Sequence, residues 1–418
     1  MSESPGKRSQ AMIDALAAIS SEPGRITRLY LTPEHRRATE LVSGWMAAAG
    51  LAVHIDSAGT VHGLLASEQS GPTGAKRLLI GSHIDSVVDA GRFDGPLGVV
   101  AGILAVEELR AQAVPLPFAL EVLAFGDEEG VRFPKTLSSS SAIAGILEPG
   151  VLEVADAEGV TLKAALSAFG CDPAKLPTEA YDRGDVLGYL EVHIEQGPVL
   201  ERAGEALGVV SAIASQGRYR LSVRGEAGHA GTVPMKLRHD ALAGAADIVL
   251  GVEDVGRAGE AASLVATVGT IKALPGAGNV IPGAVEFSLD VRASDDRARV
   301  NAAGEIRKRA EASCAKRGLT FGMETVHEKP VAKTAPRLNN AIAAAIGRVT
   351  GKAARSLTSG AGHDGQAMVH LTDIGMIFVR CRGGISHNPA EFVSIADQAL
   401  AVDALVQTIK ELALESEA

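Results

Sequence analysis

Residues 78–100 read LLIGSHIDSVVDAGRFDGPLGVV. The apolar or small run 78–81 predicts a short buried strand, with His83 and Asp85 at its end. Residues two apart in an extended chain point the same way, so Asp85 can reach the His83 ring. A carboxylate behind a histidine fixes the tautomer and aims the other nitrogen outward, as behind many metal-bound imidazoles. Asp94 follows in a turn punctuated by Gly91, Gly95 and Gly98. Such a loop can fold tightly and bring a second side chain beside the first. Taken alone, the stretch reads equally well as a surface histidine and a turn aspartate, because a His–Asp pair is a weak motif.

The neighbouring segments change that balance. A helix is expected over 99–111, with Val99, Ile103, Val106 and Leu109 on its apolar face. Strand, loop, helix is the rhythm of an α/β sheet. Upstream, helices are expected over 12–19 and from a Thr32 cap and Pro33 through Trp45 to Gly50. Short strands are expected at 51–55 and 61–65. The strand expected at 120–125 runs into Gly126-Asp127-Glu128-Glu129-Gly130. Adjacent carboxylates after a buried strand are costly unless something positive neutralises them. One would handle protons and the other bind metal; the plain alternative is a solvated acidic loop. The four serines 138–141 read as a polar loop, and 151–180 as a helical excursion. A third strand, 187–194, carries His193 near its end, followed by Glu195-Gln196-Gly197-Pro198. Ligands of open α/β sheets gather at the carboxyl ends of strands, so the repetition is informative.

From residue 218 the texture changes. Strands are expected at 219–224, 264–271, 284–292 and 319–326, and helices at 240–252 and 297–317. The third of these strands alternates cleanly, with Val285, Phe287, Leu289 and Val291 on one face and Glu286, Ser288, Asp290 and Arg292 on the other. The order βαββαβ describes a ferredoxin-like unit. Residues 213–329 are therefore read as an inserted domain, between the parts 1–212 and 330–418 of an α/β domain with a mixed sheet. The returning segment carries a helix at 339–349, the glycine-rich run 359–365 with His363 and Asp364, a strand at 375–379, His387 within 385–391, and a helix at 395–412.

Composition narrows the function classes. At 418 residues, two domains are the default. The balance of 40 basic against 50 acidic residues, net −10, argues against a nucleic-acid partner. Three scattered cysteines, Cys171, Cys314 and Cys381, make neither a disulfide framework nor a zinc knuckle. The polar start MSESPGKRSQ has no hydrophobic signal core, and no apolar run would cross a bilayer. A cytoplasmic protein without a membrane partner is the expectation.

His83, Asp94, Glu129, His193 and His387 thus offer five nitrogen and carboxylate donors, mostly from strand ends. A single catalytic zinc needs three protein ligands and an open position. Five donors with one bridging carboxylate suit two divalent ions roughly 3.5–4 Å apart, and Asp94 is the natural bridge. Such ions lower the pKa of a shared water toward roughly 7, and Glu128 would pass its proton to the leaving nitrogen.

The segments GSHIDSVVDAGRFDGPLGV, GDEEGVRF, EVHIEQGPVLE, GHAGTVPM, GNVIPGAVEFSLDVR, SGAGHD and GISHNPAEF together resemble the N-carbamoyl-L-amino-acid hydrolases and allantoate amidohydrolases. These belong to the aminoacylase-like clan of dinuclear metallohydrolases, with some β-ureidopropionases as cousins. The resemblance covers nearly the whole chain. It implies the metal roles of His83, Asp94, Glu129, His193 and His387, with Glu128 as base. Zn²⁺ is the first expectation, with Mn²⁺, Co²⁺ and Ni²⁺ as competitors. It also implies that the inserted domain is a lid and the contact of a homodimer, and that His229 enters the partner's site to stabilise an oxyanion. Asn279 and Arg292 match holders of the substrate carboxylate, and Arg offers a fork suited to it. The plain alternative has Arg292 pairing with Asp290 or Glu286. Gln196 matches a polar contact to the ureido group and Gly360 a backbone contact there. Ser139 stands where relatives often carry glycine. His363-Asp364 is read as structural, since the donor set is full.

The expected reaction is hydrolysis of a ureido C–N bond beside a carboxylate, in an N-carbamoyl-L-amino acid or, alternatively, in allantoate. A dipeptidase or acylase is disfavoured by His193 and by the short spacing from His83 to Asp94. A metal-free binding protein on the same fold is disfavoured because every donor and Glu128 are present.

Overall fold

A computed structural model of the chain describes residues 4–67 and 76–417. The first three residues of the polar start lie outside the described residues. Two compact units emerge: Met1–Ser211 together with Lys333–Ala418, and Ala212–Ala332.

The first unit is built on a mixed sheet. Its strands up to the chain's departure are β1 (Ala52–Ile55), β2 (Val61–Leu65), β3 (Arg77–His83), β4 (Ala119–Phe125), β5 (Val186–Ile194) and β6 (Leu207–Ile213). The spatial order is β1-β2-β4-β3-β5, then the late strand Ile374–Val379, then β6 and the short Ala332–Lys333; Arg355–Ser359 also pairs with β6. β3 is parallel to both β4 and β5, and Ile374–Val379 is parallel to β5. Four neighbouring strands therefore end on one edge of the sheet, where ligands of such sheets collect.

Helices α1 (Pro5–Ala17), α2 (Pro33–Ala48) and α3 (Pro96–Ala111) precede and follow the first strands. Thr32 Oγ1 accepts the His35 N–H at 3.2 Å, capping α2 as expected. Val99, Ile103, Val106 and Leu109 of α3 are all buried, in one core with Leu78 and Ile80 of β3 and with the C-terminal helix Ile395–Glu417. α1 begins earlier than expected because Pro5 fits its first turn.

The second unit has a five-stranded sheet. Ile271–Leu274, Ala284–Ala293, Ser215–Arg224 and Thr320–Lys329 lie in that order with antiparallel neighbours, and Val265–Thr267 pairs with Ala284–Ala293. Helices Ala241–Ala258 and Asp296–Arg317 share its core. Val285, Phe287, Leu289 and Val291 are buried, as their alternation requires. The single strand expected at 264–271 is instead two short ones. Ser288 Oγ accepts the N–H groups of Gly269 and Thr270 and so interrupts the ladder between them. Gly228–His229 and Val280–Ile281 form a separate two-stranded ribbon.

The serine run also departs from expectation. Ser138–Ala144 is helix α4, and Ser138, Ser139 and Ser140 are buried. No described helix is long and apolar enough to cross a membrane.

Candidate metal centre

The geometry starts from strand ends. His83 is the last residue of β3, and His193 is the penultimate residue of β5. Glu128 and Glu129 follow just after β4, and His387 lies in the loop beyond Ile374–Val379. Asp94 sits between β3 and α3. His83, Asp94 and His193 are at most 6 % exposed.

Asp94 is the hinge of the arrangement. Its Oδ1 lies 3.1 Å from His193 Nε2 and 3.8 Å from His83 Nε2, while its Oδ2 lies 3.3 Å from His387 Nε2. His387 Nε2 is also 3.5 Å from Glu129 Oε2. His83, Glu128 and Glu129 form one donor group with its atoms within 4.8 Å of one another, and two more are His83-Asp94-His193 and Asp94-Glu129-His387. The latter two share Asp94, one oxygen to each side.

The ring tautomers suit this. His193 Nδ1 is 2.9 Å from the Ile194 carbonyl and His83 Nδ1 is 3.2 Å from the Asp85 carbonyl. Carbonyl oxygens only accept, so each Nδ1 carries a proton and Nε2 is the nitrogen turned toward Asp94. Asp85 Oδ1 also stands 3.3 Å from His83 Nδ1. The Asp85 oxygens further accept the N–H groups of Glu128 at 3.3 Å and Glu129 at 3.2 Å. One carboxylate thus orients both the imidazole and the acidic pair.

Glu128 and Glu129 are not solvated: their side chains are 12 % and 7 % exposed. Burial pushes Glu129 up to about 8, and the charges of Asp94 and Glu128 add to the effect. Glu128 is raised by burial too, with Asp85 and Asp94 repelling its charged form. Asp94 resists burial, because hydrogen bonds from His193 and His387 hold it well below the usual carboxylate range. The charged partners of Asp94, Glu128 and Glu129 are imidazoles. So many buried carboxylates beside imidazole nitrogens form a chemistry that divalent cations would neutralise. The residues fit such ions.

The turn holding Glu128 and Glu129 is braced by the serines. Ser139 Oγ donates to the Gly126 carbonyl and accepts the Gly126 N–H. Ser138 Oγ donates to Asp127 Oδ2 at 2.6 Å. Asp127, Gln196 and His387 all have positive φ, 66°, 56° and 53°. Strain of this kind persists only where surrounding contacts over-determine it.

Gln196 Nε2 donates to Asp94 Oδ2 at 2.8 Å and to Ser386 Oγ at 3.1 Å. Its amide nitrogen is therefore committed, and its buried Oε1 has no hydrogen-bond partner among the described residues. Gly360 is exposed beyond Arg355–Ser359. A Cβ at Gly362 would stand 3.2 Å from Glu128 Oε1, which puts this loop against Glu128. His363 is fully buried, with Nε2 2.6 Å from Ser359 Oγ and its ring 4.4 Å from that of His193. Glu191, His193 and His363 also form a donor group.

The remaining expected residues belong to the second unit. His229 is exposed on the ribbon, and its Nδ1 accepts the Gly231 N–H at 3.0 Å. The Asn279 carbonyl accepts the Ala230 N–H at 2.9 Å. The fork of Arg292 lies on Asp290, at 3.0 and 3.1 Å. Sequence reasoning missed Glu391 and Ser386, which hold Asp94 in place; both were inside a quoted segment but had no spacing signal.

Comparison with known proteins bears on this geometry. The model of peptidase family M20/M25/M40 matches residues 79–411. The chain belongs to this family. Among its M20 relatives, the allantoate deiminase of Arabidopsis thaliana is 41 % identical over 411 residues, covering 92 % of this chain and 78 % of the relative. The N-carbamoyl-L-amino acid amidohydrolase of Geobacillus stearothermophilus is 40 % identical and covers 98 % of each chain. A solved amidase of the hydantoinase/carbamoylase family from Burkholderia multivorans superposes with a TM-score of 0.91, at 30 % identity and 98 % coverage of each chain.

Proposed function

We propose that the protein hydrolyses the ureido C–N bond of an N-carbamoyl-L-amino acid, consuming one water and releasing the amino acid, CO₂ and ammonia. The observation that carries the reading is the pair of donor groups sharing Asp94, with Glu128 Oε2 4.0 Å from His83 Nε2. The substrate class is supported by the names of the full-length relatives.

His83, Asp94 and His193 would hold one divalent ion and Asp94, Glu129 and His387 the other, Zn²⁺ first. Bound metal supplies Lewis acidity toward the carbamoyl oxygen and acidifies the attacking water. Glu128 takes the proton of that water and delivers it to the leaving nitrogen; its raised pKa suits both halves of the task. The open Oε1 of Gln196 can accept from the terminal ureido N–H. The Gly360 backbone is assigned to the same group.

The second unit is read as a ferredoxin-like lid and homodimer contact. Asn279 and Arg292 are assigned to the substrate carboxylate, with Arg292 giving up Asp290 for it, and His229 of a second copy to the developing oxyanion.

The test is ammonia release from a panel of N-carbamoyl-L-amino acids and from allantoate, with metal content measured in parallel. Glu128→Gln should keep its metal and lose about 10²–10⁴-fold in kcat. Full activity in that variant refutes the mechanism. A preference for allantoate would move the substrate assignment to the other branch.

A further inference from the structure

Glu391 has no part in the chemistry above, yet it is 4 % exposed and makes three polar contacts at the centre. Its Oε1 accepts the N–H of Phe93 at 2.7 Å and of Asp94 at 3.2 Å. Its Oε2 lies 3.2 Å from Ser386 Oγ, which is also 2.7 Å from Asp94 Oδ2. The single Ser386 proton is shared between these two carboxylates, and Gln196 Nε2 donates to Ser386 Oγ and to Asp94 Oδ2. A residue 297 positions away thus grips Asp94 twice, at its backbone directly and at its side chain through Ser386.

The 91–94 loop is shaped for this grip. A Cβ on Gly91 would lie 2.2–2.4 Å from the carboxylate atoms of Glu391, so the loop admits Glu391 only because residue 91 is glycine. His387 lies between Ser386 and Glu391 and holds its positive φ there. The buckle therefore spans the loops that supply both the shared carboxylate and one of the imidazoles.

We propose that Glu391 is a positioning residue that locks Asp94 with one oxygen toward each donor group, and so sets the affinity for divalent cations. This rests on the metal reading above. Glutamine at this position would keep the acceptor for both N–H groups and offer an amide donor to Ser386 Oγ; alanine would keep neither.

Wild type, Glu391→Gln, Glu391→Ala and Ser386→Ala should be compared. Zn²⁺ affinity and stoichiometry would be read by competition with a chromophoric chelator, beside kcat, KM and the melting of the metal-free proteins. Glu391→Ala should bind Zn²⁺ about 10–100-fold more weakly, with kcat falling and KM nearly unchanged, and Glu391→Gln should restore most of both. Ser386→Ala, which spares the backbone grip, should fall between and keeps the idea testable if Glu391→Ala does not fold. Wild-type affinity in Glu391→Ala and Ser386→Ala, or no rescue by Glu391→Gln, would overturn the proposal while leaving the metal reading intact. A wild type that takes up no Zn²⁺ would remove both.

Discussion

Replacing Gly95 by alanine tests whether backbone conformation places the His83 ring. Gly95 has φ 84° and ψ −61° at the start of α3, directly after Asp94. An added Cβ would stand 2.5–2.6 Å from Cε1, Nδ1 and Nε2 of His83, where ordinary contact begins near 3.4 Å. Two costs follow. An L side chain in this conformation costs about 1–3 kcal/mol. The ring must also retreat by roughly 1 Å, and a misplacement of that size costs about 10²-fold in rate. Gly150 separates the two effects, because it has φ 77° and no atom of the described residues lies within 4 Å of its Cβ position. Urea unfolding and ammonia-release kinetics should show both variants destabilised by about 1–3 kcal/mol, but only Gly95→Ala slowed by about 10²-fold. Equal activity in the two variants would refute the reasoning.

The buried His62 carries a pH prediction. It lies 3.0 Å from Glu121 and 3.2 Å from Asp56. Burial pushes the imidazole down, but hydrogen bonds to both carboxylates outweigh it and raise the pKa from 6.5 to about 9. Because the folded value is the higher one, the stabilisation is complete below pH 6.5 and disappears as pH rises through 9. It amounts to about 3 kcal/mol, so wild type should lose that much more than His62→Gln across this window in urea titrations; parallel slopes would contradict it. Ser139→Ala strands the buried Gly126 N–H and carbonyl, which should cost about 1–3 kcal/mol. Its kcat should fall about tenfold with KM nearly constant, since a shift of the turn misplaces Glu128. Steady-state kinetics with unchanged kcat would dissociate the serine from the turn.

What could be read from the letters alone was the local part. His83, His193 and the Glu128-Glu129 pair each end an apolar run, and β3, β4 and β5 stand where those runs lie. The meeting of Asp94 with His387 has no local signature, because it depends on closing a loop of nearly the whole domain; only the resemblance pointed to it. The serines 138–141 misled because polar residues read as solvated, whereas Ser138 and Ser139 are satisfied by Asp127 and Gly126 from another segment. The strand at 264–271 was divided by a side chain, Ser288, from its neighbour. Glu391 was invisible for the same reason: its partners are backbone amides of a distant turn. In each case a tertiary partner decided what propensity could not.

The position of Ile374–Val379 between β5 and β6 has a consequence for biosynthesis. A growing chain completes both flanking strands, and the whole second unit, before the piece that joins them leaves the ribosome. Until then two unpaired edges face each other, and such edges are templates for wrong partners. Transiently exposed hydrophobic surface and unpaired strand edges make such a partly folded species prone to aggregate. The strand Ile374–Val379 therefore acts as a keystone, and a nascent chain halted just before it would be a natural client for chaperones.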